Sequence, residues 1–250
     1  MKLEEIQKAF RDAVLGREVS IEAAQVLPGK PSIELYRQLI LGAASGQLSF
    51  AFEEALDGLV EGEELDLDTL LLEMLRENAP RTQSSRELAE RFLSWILAYR
   101  PNLFEGKEGL RGRMERLLLE LQCFYSQDGE GRVLAPAELQ SLGGTVEDLL
   151  ASSLEKAPWL RFWKDEDQAL LCSRDEEGLP FWREVDADQW ILMQCLEEER
   201  PMRIEDLAES WLKERGMEEE SEEEAFLAFL RGLLALADAR GLMAPASQKP

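Results

Sequence analysis

Apolar residues recurring at helical spacing, closed off by recognisable caps, constrain this chain more than any other feature. Leu88, Phe92, Trp95, Ile96 and Tyr99 fall at i, i+4, i+7, i+8 and i+11, one continuous stripe. The SSRE beginning at Ser84 reads as a capping box, and Pro101 stops the helix. Four more segments of the first half repeat the theme. Leu3, Ile6, Phe10, Ala13 and Val14 precede a capping Gly16, and a long helix is expected from Ser32, as N-cap, to about Leu59. A third helix spans 65–78, before Pro80, and a fifth spans 107–127 with Leu110, Met114, Leu117, Leu118, Leu121 and Phe124 inward. Five striped helices with short Pro/Gly connectors predict a helical bundle over 1–128. Within the long helix, the GAASG from Gly42 to Gly46 reads as a tight helix crossing with a possible break.

The pattern then changes. Residues 129–157 are turn-rich, with short helices expected near 136–140 and 146–154, and are read as a linker. The stretch 159–186, WLRFWKDEDQALLCSRDEEGLPFWREVD, reads as three hairpin-linked strands and carries Trp159, Trp163 and Trp182. Leu160 and Phe162 share one face of the first strand, opposite Trp159, Arg161 and Trp163. Gly178 suits a turn, and Pro180 at a strand start implies an edge. Asp186 is a good N-cap for a helix through Trp190 to Leu196. A second helix carries Ile204, Leu207, Ala208, Trp211 and Leu212 and closes at Gly216. A third opens with a capping box at Ser221, turns Phe226, Leu230, Leu233, Leu234 and Ala237 inward, and ends at Gly241. The expectation is a mainly α protein: a bundle, then a small α+β, winged-helix-like domain over 158–245 in the order β-β-β-α-α-α, and a disordered tail at 246–250. Trp163 and Trp182 have two readings, a recognition surface or packing against the helical half.

Composition narrows the chemistry. The chain has no histidine, which excludes Ser-His-Asp and Cys-His catalysis and almost all transition-metal sites. Its formal net charge of −23 opposes binding to nucleic acid or anionic membranes. Cys123, Cys172 and Cys195 have neither zinc nor disulfide spacing and read as buried thiols. No phosphate loop, dinucleotide fingerprint or nucleophile elbow occurs, so no catalytic residue, cofactor or metal ligand is expected. The acidic run 218–224 reads as a solvated loop leading into a helix N-terminus. No secretory signal or membrane-length apolar run is visible, and a cytoplasmic location is expected.

Several segments together resemble a known bacterial family. They are QKAFRDAVLG near the start, LYRQLI with Tyr36 and Arg37, APRTQSSRELAERFLSWI over 79–96 and LRGRMERLLLELQCFY over 110–125. WLRFW, WREVDADQWIL and the LL-x-GL-like ending extend the match through the second half. The pattern is similar to the HvfC/BufC-like family, long labelled "putative DNA-binding domain" proteins, which accompany multinuclear non-haem iron-dependent oxidative enzymes. The chain departs from it in lacking an asparagine shortly after Tyr36-Arg37 and a Phe-Pro after the long helix.

The resemblance implies a heterodimeric partner protein that binds a ribosomally made precursor peptide for the iron enzyme. It implies a C-terminal domain like the leader-recognition elements of peptide-modifying pathways, similar to the small peptide chaperone of pyrroloquinoline quinone synthesis. The leader would add to the third strand, at Pro180, Phe181, Trp182, Arg183, Glu184 and Val185, against Phe226, Phe229, Leu230 and Leu233 of the last helix. Tyr36 and Arg37 would dock the enzyme, and any iron ligands would belong to that enzyme. The alternatives are a winged-helix transcriptional regulator, which the six glutamates within 218–224 oppose, a carboxylate-based enzyme, and a plain scaffold.

Overall fold

The computed structural model describes residues 2–62, 66–77, 84–128, 131–142, 144–196, 201–216 and 221–245. The fold is mainly helical, the strands of the described residues pair antiparallel, and the chain divides into compact units at Met1–Leu118 and Leu119–Pro250. Positions 65, 78–80, 218–220 and 246–250 of the expected elements lie outside the described residues.

The first unit contains α1 (Leu3–Val14), α2 (Ile21–Ala24), α3 (Lys30–Phe52), α4 (Glu54–Val60), α5 (Leu67–Glu77), α6 (Ser85–Tyr99) and the first part of α7 (Leu110–Phe124). Leu48, Phe52, Leu59, Leu70, Met74, Phe92 and Ile96 are fully enclosed, and Phe52 meets Phe92 with ring centroids 6.3 Å apart. The apolar stripe of α6 is therefore core from Leu88 to Ile96, as its period predicts, whereas Tyr99 at its end is 59% exposed. Three local expectations need correction. Helix α3 begins at Lys30 with Gly29 as N-cap, because Pro31 is already compatible with the first turn. It runs unbroken through Gly42 and Gly46, and the break comes at Glu53, whose φ is 46°. Ser84 holds the N-cap position of α6 without capping through its side chain, and Glu87 instead pairs with Arg91.

The second unit follows the end of α7 with β1 (Arg132–Val133), α8 (Pro136–Ser141), α9 (Val146–Ala151), β2 (Ser153–Lys156), β3 (Arg161–Lys164), β4 (Ala169–Arg174) and β5 (Pro180–Glu184). Then come α10 (Ala187–Cys195), β6 (Met202–Arg203), α11 (Ile204–Arg215), α12 (Glu222–Asp238) and β7 (Leu242–Ala244). The strands form two sheets, ordered β1-β7-β2-β6 and β3-β4-β5. The second sheet is the one expected from the sequence. The first adds strands around the expected three helices, and segments of two to four residues are too short to show a period of two.

Residues 132–157 are built into this unit: Leu134, Leu139, Leu154 and Ala157 join one core with Leu192, Trp211, Phe229, Leu233 and Leu242. Asp186 and Ser221 cap α10 and α12 through paired boxes with Gln189 and Glu224. The Ser221 bonds hold the Glu224 carboxyl below its usual range.

Two glycines separate the roles that glycine can have. A Cβ on Gly131 would lie 2.4 Å from the Ala244 carbonyl oxygen and 2.4 Å from Glu155 Oε1, whereas one on Gly46 would meet nothing within 4 Å. Gly131→Ala should therefore lower stability by about 1–3 kcal/mol through overpacking. Gly46→Ala should raise it by about 0.5–1 kcal/mol, since it removes a flexible residue from a helix interior. Chemical denaturation of the two variants checks both signs.

Candidate functional site

The backbone of β5 is the first thing to fix. Val185 N–H donates to the Ala169 carbonyl at 3.0 Å, and the register pairs Leu171 with Arg183 and Ser173 with Phe181. Alternation along an antiparallel ladder then turns the N–H and C=O groups of Phe181, Arg183 and Val185 toward β4. Those of Trp182 and Glu184 point the other way. Among the described residues no strand pairs with that outer side, and Pro180, which has no N–H, opens it.

Side chains divide the sheet into two covered faces. Phe181, Arg183 and Val185 share a face with Leu171 and Phe162. Phe162 stands edge-on to Trp190 of α10 at 5.3 Å, and Arg183 pairs with Asp238 of α12 at 2.8 Å. The opposite face meets the last turns of α7. Trp182 donates its indole N–H to Glu120, and Arg161 donates to Ser126 Oγ at 2.9 Å. Arg174 donates to the Cys123 carbonyl at 2.8 Å, to the carbonyls of Phe124 at 2.6 Å and Ser126 at 2.5 Å, and to Asp128 at 3.1 Å. The Cys123 and Phe124 carbonyls are the last two of the helix and the Ser126 carbonyl lies just beyond it, so the guanidinium caps α7.

Of the two readings of Trp182, packing against a helix is the one observed. Sequence gave no signal for Glu120 or Arg174, because each partner lies far away in the chain.

The same face holds two thiols. Cys123 and Cys172 are fully buried, and the Cys172 thiol hydrogen-bonds to the Cys123 sulfur. That bond, with the nearby Arg174 and Arg161 charges, brings Cys123 below the usual thiol range, while the same bond and burial push Cys172 above it. Burial also raises the thiol of the partly buried Cys195.

The residues expected on α12 lie elsewhere than on an open groove. Phe229 and Leu233 are 1% and 0% exposed in the core, and Phe229 packs on Trp211 at 5.7 Å. Phe226 and Leu230 are partly buried against the same core. A peptide on β5 would therefore find no cleft at Phe229 or Leu233, since the helix spends them on holding its own unit together.

Tyr36 is half exposed and stands edge-on to Phe10 at 5.1 Å. Arg37 is occupied within its unit: it donates to the Val14 carbonyl at 2.7 Å and the Ala13 carbonyl at 3.2 Å and pairs with Glu34 at 2.6 Å, which ties α1 to α3.

Tyr36 borders a surface that the sequence reading missed. Leu35, Leu39 and Phe50 are 56%, 60% and 60% exposed on α3, with Gly42, Ala43 and Gly46 exposed between them. Gly42 and Gly46 therefore make no close helix crossing, contrary to the reading of GAASG, and it is Ala44 of that motif that is buried. A signal for this surface existed: positions 38–52 contain no charged residue in a chain that is 32% charged.

A recess lies at each end of the three-stranded sheet. One, of about 370 Å³, is lined by Trp159, Arg174, the Asp175–Gly178 turn, Arg240 and Met243, among others. The other, of about 380 Å³, is lined by Asp165, Asp167, Gln168, Ala169, Glu184 and Val185. Among the described residues no group of three or more histidine, cysteine or carboxylate side chains could hold a metal ion, and no helix is long and apolar enough to cross a membrane. No model of a known protein family matches the chain, and no curated protein matches it.

Two measurements check this description. Trp182→Phe should cost about 1–2 kcal/mol in an unfolding titration, since it strips the Glu120 carboxylate of its indole donor and keeps the ring. In native protein at pH 8, a thiol reagent should label Cys195 alone, with Cys123 and Cys172 reacting only after unfolding.

Proposed function

We propose that this chain is a non-catalytic partner protein that takes up an extended, ribosomally made precursor peptide on the outer edge of β5 and presents it to a separate iron-dependent oxidative enzyme. The observation that carries this reading is the edge itself: Trp182 and Glu184 turn unpaired backbone groups outward, Pro180 opens the strand, and both sheet faces are already covered. A strand in that state offers main-chain hydrogen bonds to an incoming strand and little else. Peptide recognition here rests on β5, from Pro180 to Val185, and not on the buried positions of α12.

In this reading the first unit acts as a helical bundle and the second as a winged-helix-like recognition domain, as the resemblance to the HvfC/BufC-like family implies. The exposed apolar side of α3 supports a docking role for that helix. Tyr36 lies beside it, whereas Arg37 serves to hold α1. An enzyme that covered Leu35, Leu39 and Phe50 would remove a large apolar area from water. The missing histidines accord with iron ligands that belong to the enzyme.

The test uses the direction of the β5 amides. Glu184→Pro removes an outward N–H without touching the β4 ladder, whereas Glu184→Ala keeps it. With equal thermal stability, Glu184→Pro should lose precursor peptide in pull-downs by about tenfold, the effect of one to two main-chain bonds. Glu184→Ala should retain it. Equal retention by both variants would reject strand addition at this edge. Phe50→Glu should separately abolish co-purification with the enzyme and leave peptide retention intact.

A further inference from the structure

The recess beside the β4–β5 turn carries two kinds of unmet demand. Trp159 lines it and is 6% exposed, and among the described residues its indole Nε1–H has no hydrogen-bond partner. Arg240 lines it too, with a buried Nε–H that likewise has no partner among the described residues. Both are donors, so an acceptor is what they lack, and a buried donor without one is costly.

The charge around them has the opposite requirement. Asp128, Asp175, Glu176 and Glu177 outnumber Arg174 and Arg240 along the lining, and Arg174 is already committed to Asp128 and three carbonyls. A carboxylate ligand would satisfy the donors and be repelled by the rim. A neutral carbonyl satisfies them without that penalty, provided that the group carrying it also brings positive charge for Glu176 and Glu177.

A lysine- or arginine-bearing peptide segment has both properties in one covalent unit. The place is also right, since Arg174 of the lining is paired in register with Pro180, where the open edge begins. The far end of β5 has the same sign, with Asp165, Asp167 and Glu184 around its recess.

We infer that this recess binds a basic segment of the peptide, a backbone carbonyl accepting from Trp159 Nε1 and Arg240 Nε and a cationic side chain facing Glu176 and Glu177. The inference rests on the strand-addition reading of β5 and adds to it a chemical class: the peptide is cationic next to the stretch that pairs. It also gives the net charge of −23 a use, because a field of that sign steers cationic segments toward the edge.

Three fluorescein-labelled peptides sharing one alternating threonine–valine core, ended by paired lysines, glutamines or glutamates, test it by fluorescence anisotropy against the full chain. The lysine-ended probe should bind about fivefold tighter than the glutamine-ended one, and the glutamate-ended one weakest, with the spread shrinking as salt rises. Glu176→Gln combined with Glu177→Gln should remove most of the lysine preference and leave the glutamine-ended probe unchanged. Trp159→Phe, which keeps the ring and removes the N–H, should weaken all three probes about equally.

Equal binding of the lysine and glutamine probes, with Glu184→Pro still abolishing both, would overturn the cationic assignment and spare the edge. Tighter binding of the glutamate probe would overturn it in favour of a carboxylate ligand. Binding of no probe by the folded chain would overturn the strand-addition reading and this inference together.

Discussion

The Arg174 guanidinium is the interaction on which the second unit depends. It sits on β4, with its side chain 11% exposed, and gathers the carbonyls of Cys123, Phe124 and Ser126 at the end of α7. A planar, permanently charged group with five donors is suited to several acceptors at once, which lysine could not match. Because Arg174, Cys172 and Trp182 share one face, the contact that caps α7 also places Cys172 against Cys123 and Trp182 against Glu120. The opposite face is taken by Trp190 and Asp238. With both faces occupied, chemistry on this sheet is confined to its edges and ends.

That confinement changes what the aromatic residues mean. Tryptophans on a small sheet suggest a sticky surface, yet here Trp182 is tied to a carboxylate and Trp159 lies under Arg174, whose guanidinium carbon is 5.4 Å from its ring. What β5 leaves open to hydrogen bonding is instead its outward backbone groups, which no composition statistic reports. Strand addition needs just this arrangement: side chains spent on rigidity and main-chain groups left over.

How far the sequence carried depended on the range of each signal. Local periodicity and caps placed the stripe of α6, the three strands from Arg161 to Glu184, the N-cap at Asp186 and the box at Ser221, because each is decided within a few residues. Pro180 marked an edge for the same reason. The strands at Ser153–Lys156 and Leu242–Ala244 were illegible, since a short strand is defined by a partner almost 90 positions away. The inward period of α12 was read correctly at Leu233, but an inward residue cannot also meet a peptide, and the two expectations conflicted from the start. The exposed small residues of α3 show the converse: GAASG licenses close approach, and only the fold reveals that Gly42 and Gly46 meet no neighbour within their own unit.

The central claim is that the outer edge of β5 is where a peptide pairs. Residue-resolved amide hydrogen exchange tests it most directly, because it reads the hydrogen bonds themselves. In the free protein the Trp182 and Glu184 amides should exchange fast while those of Phe181, Arg183 and Val185 are protected. Saturation with bound peptide should slow Trp182 and Glu184 selectively. If both stayed fast in a saturated complex, the peptide would be bound elsewhere and the account of this edge would be wrong.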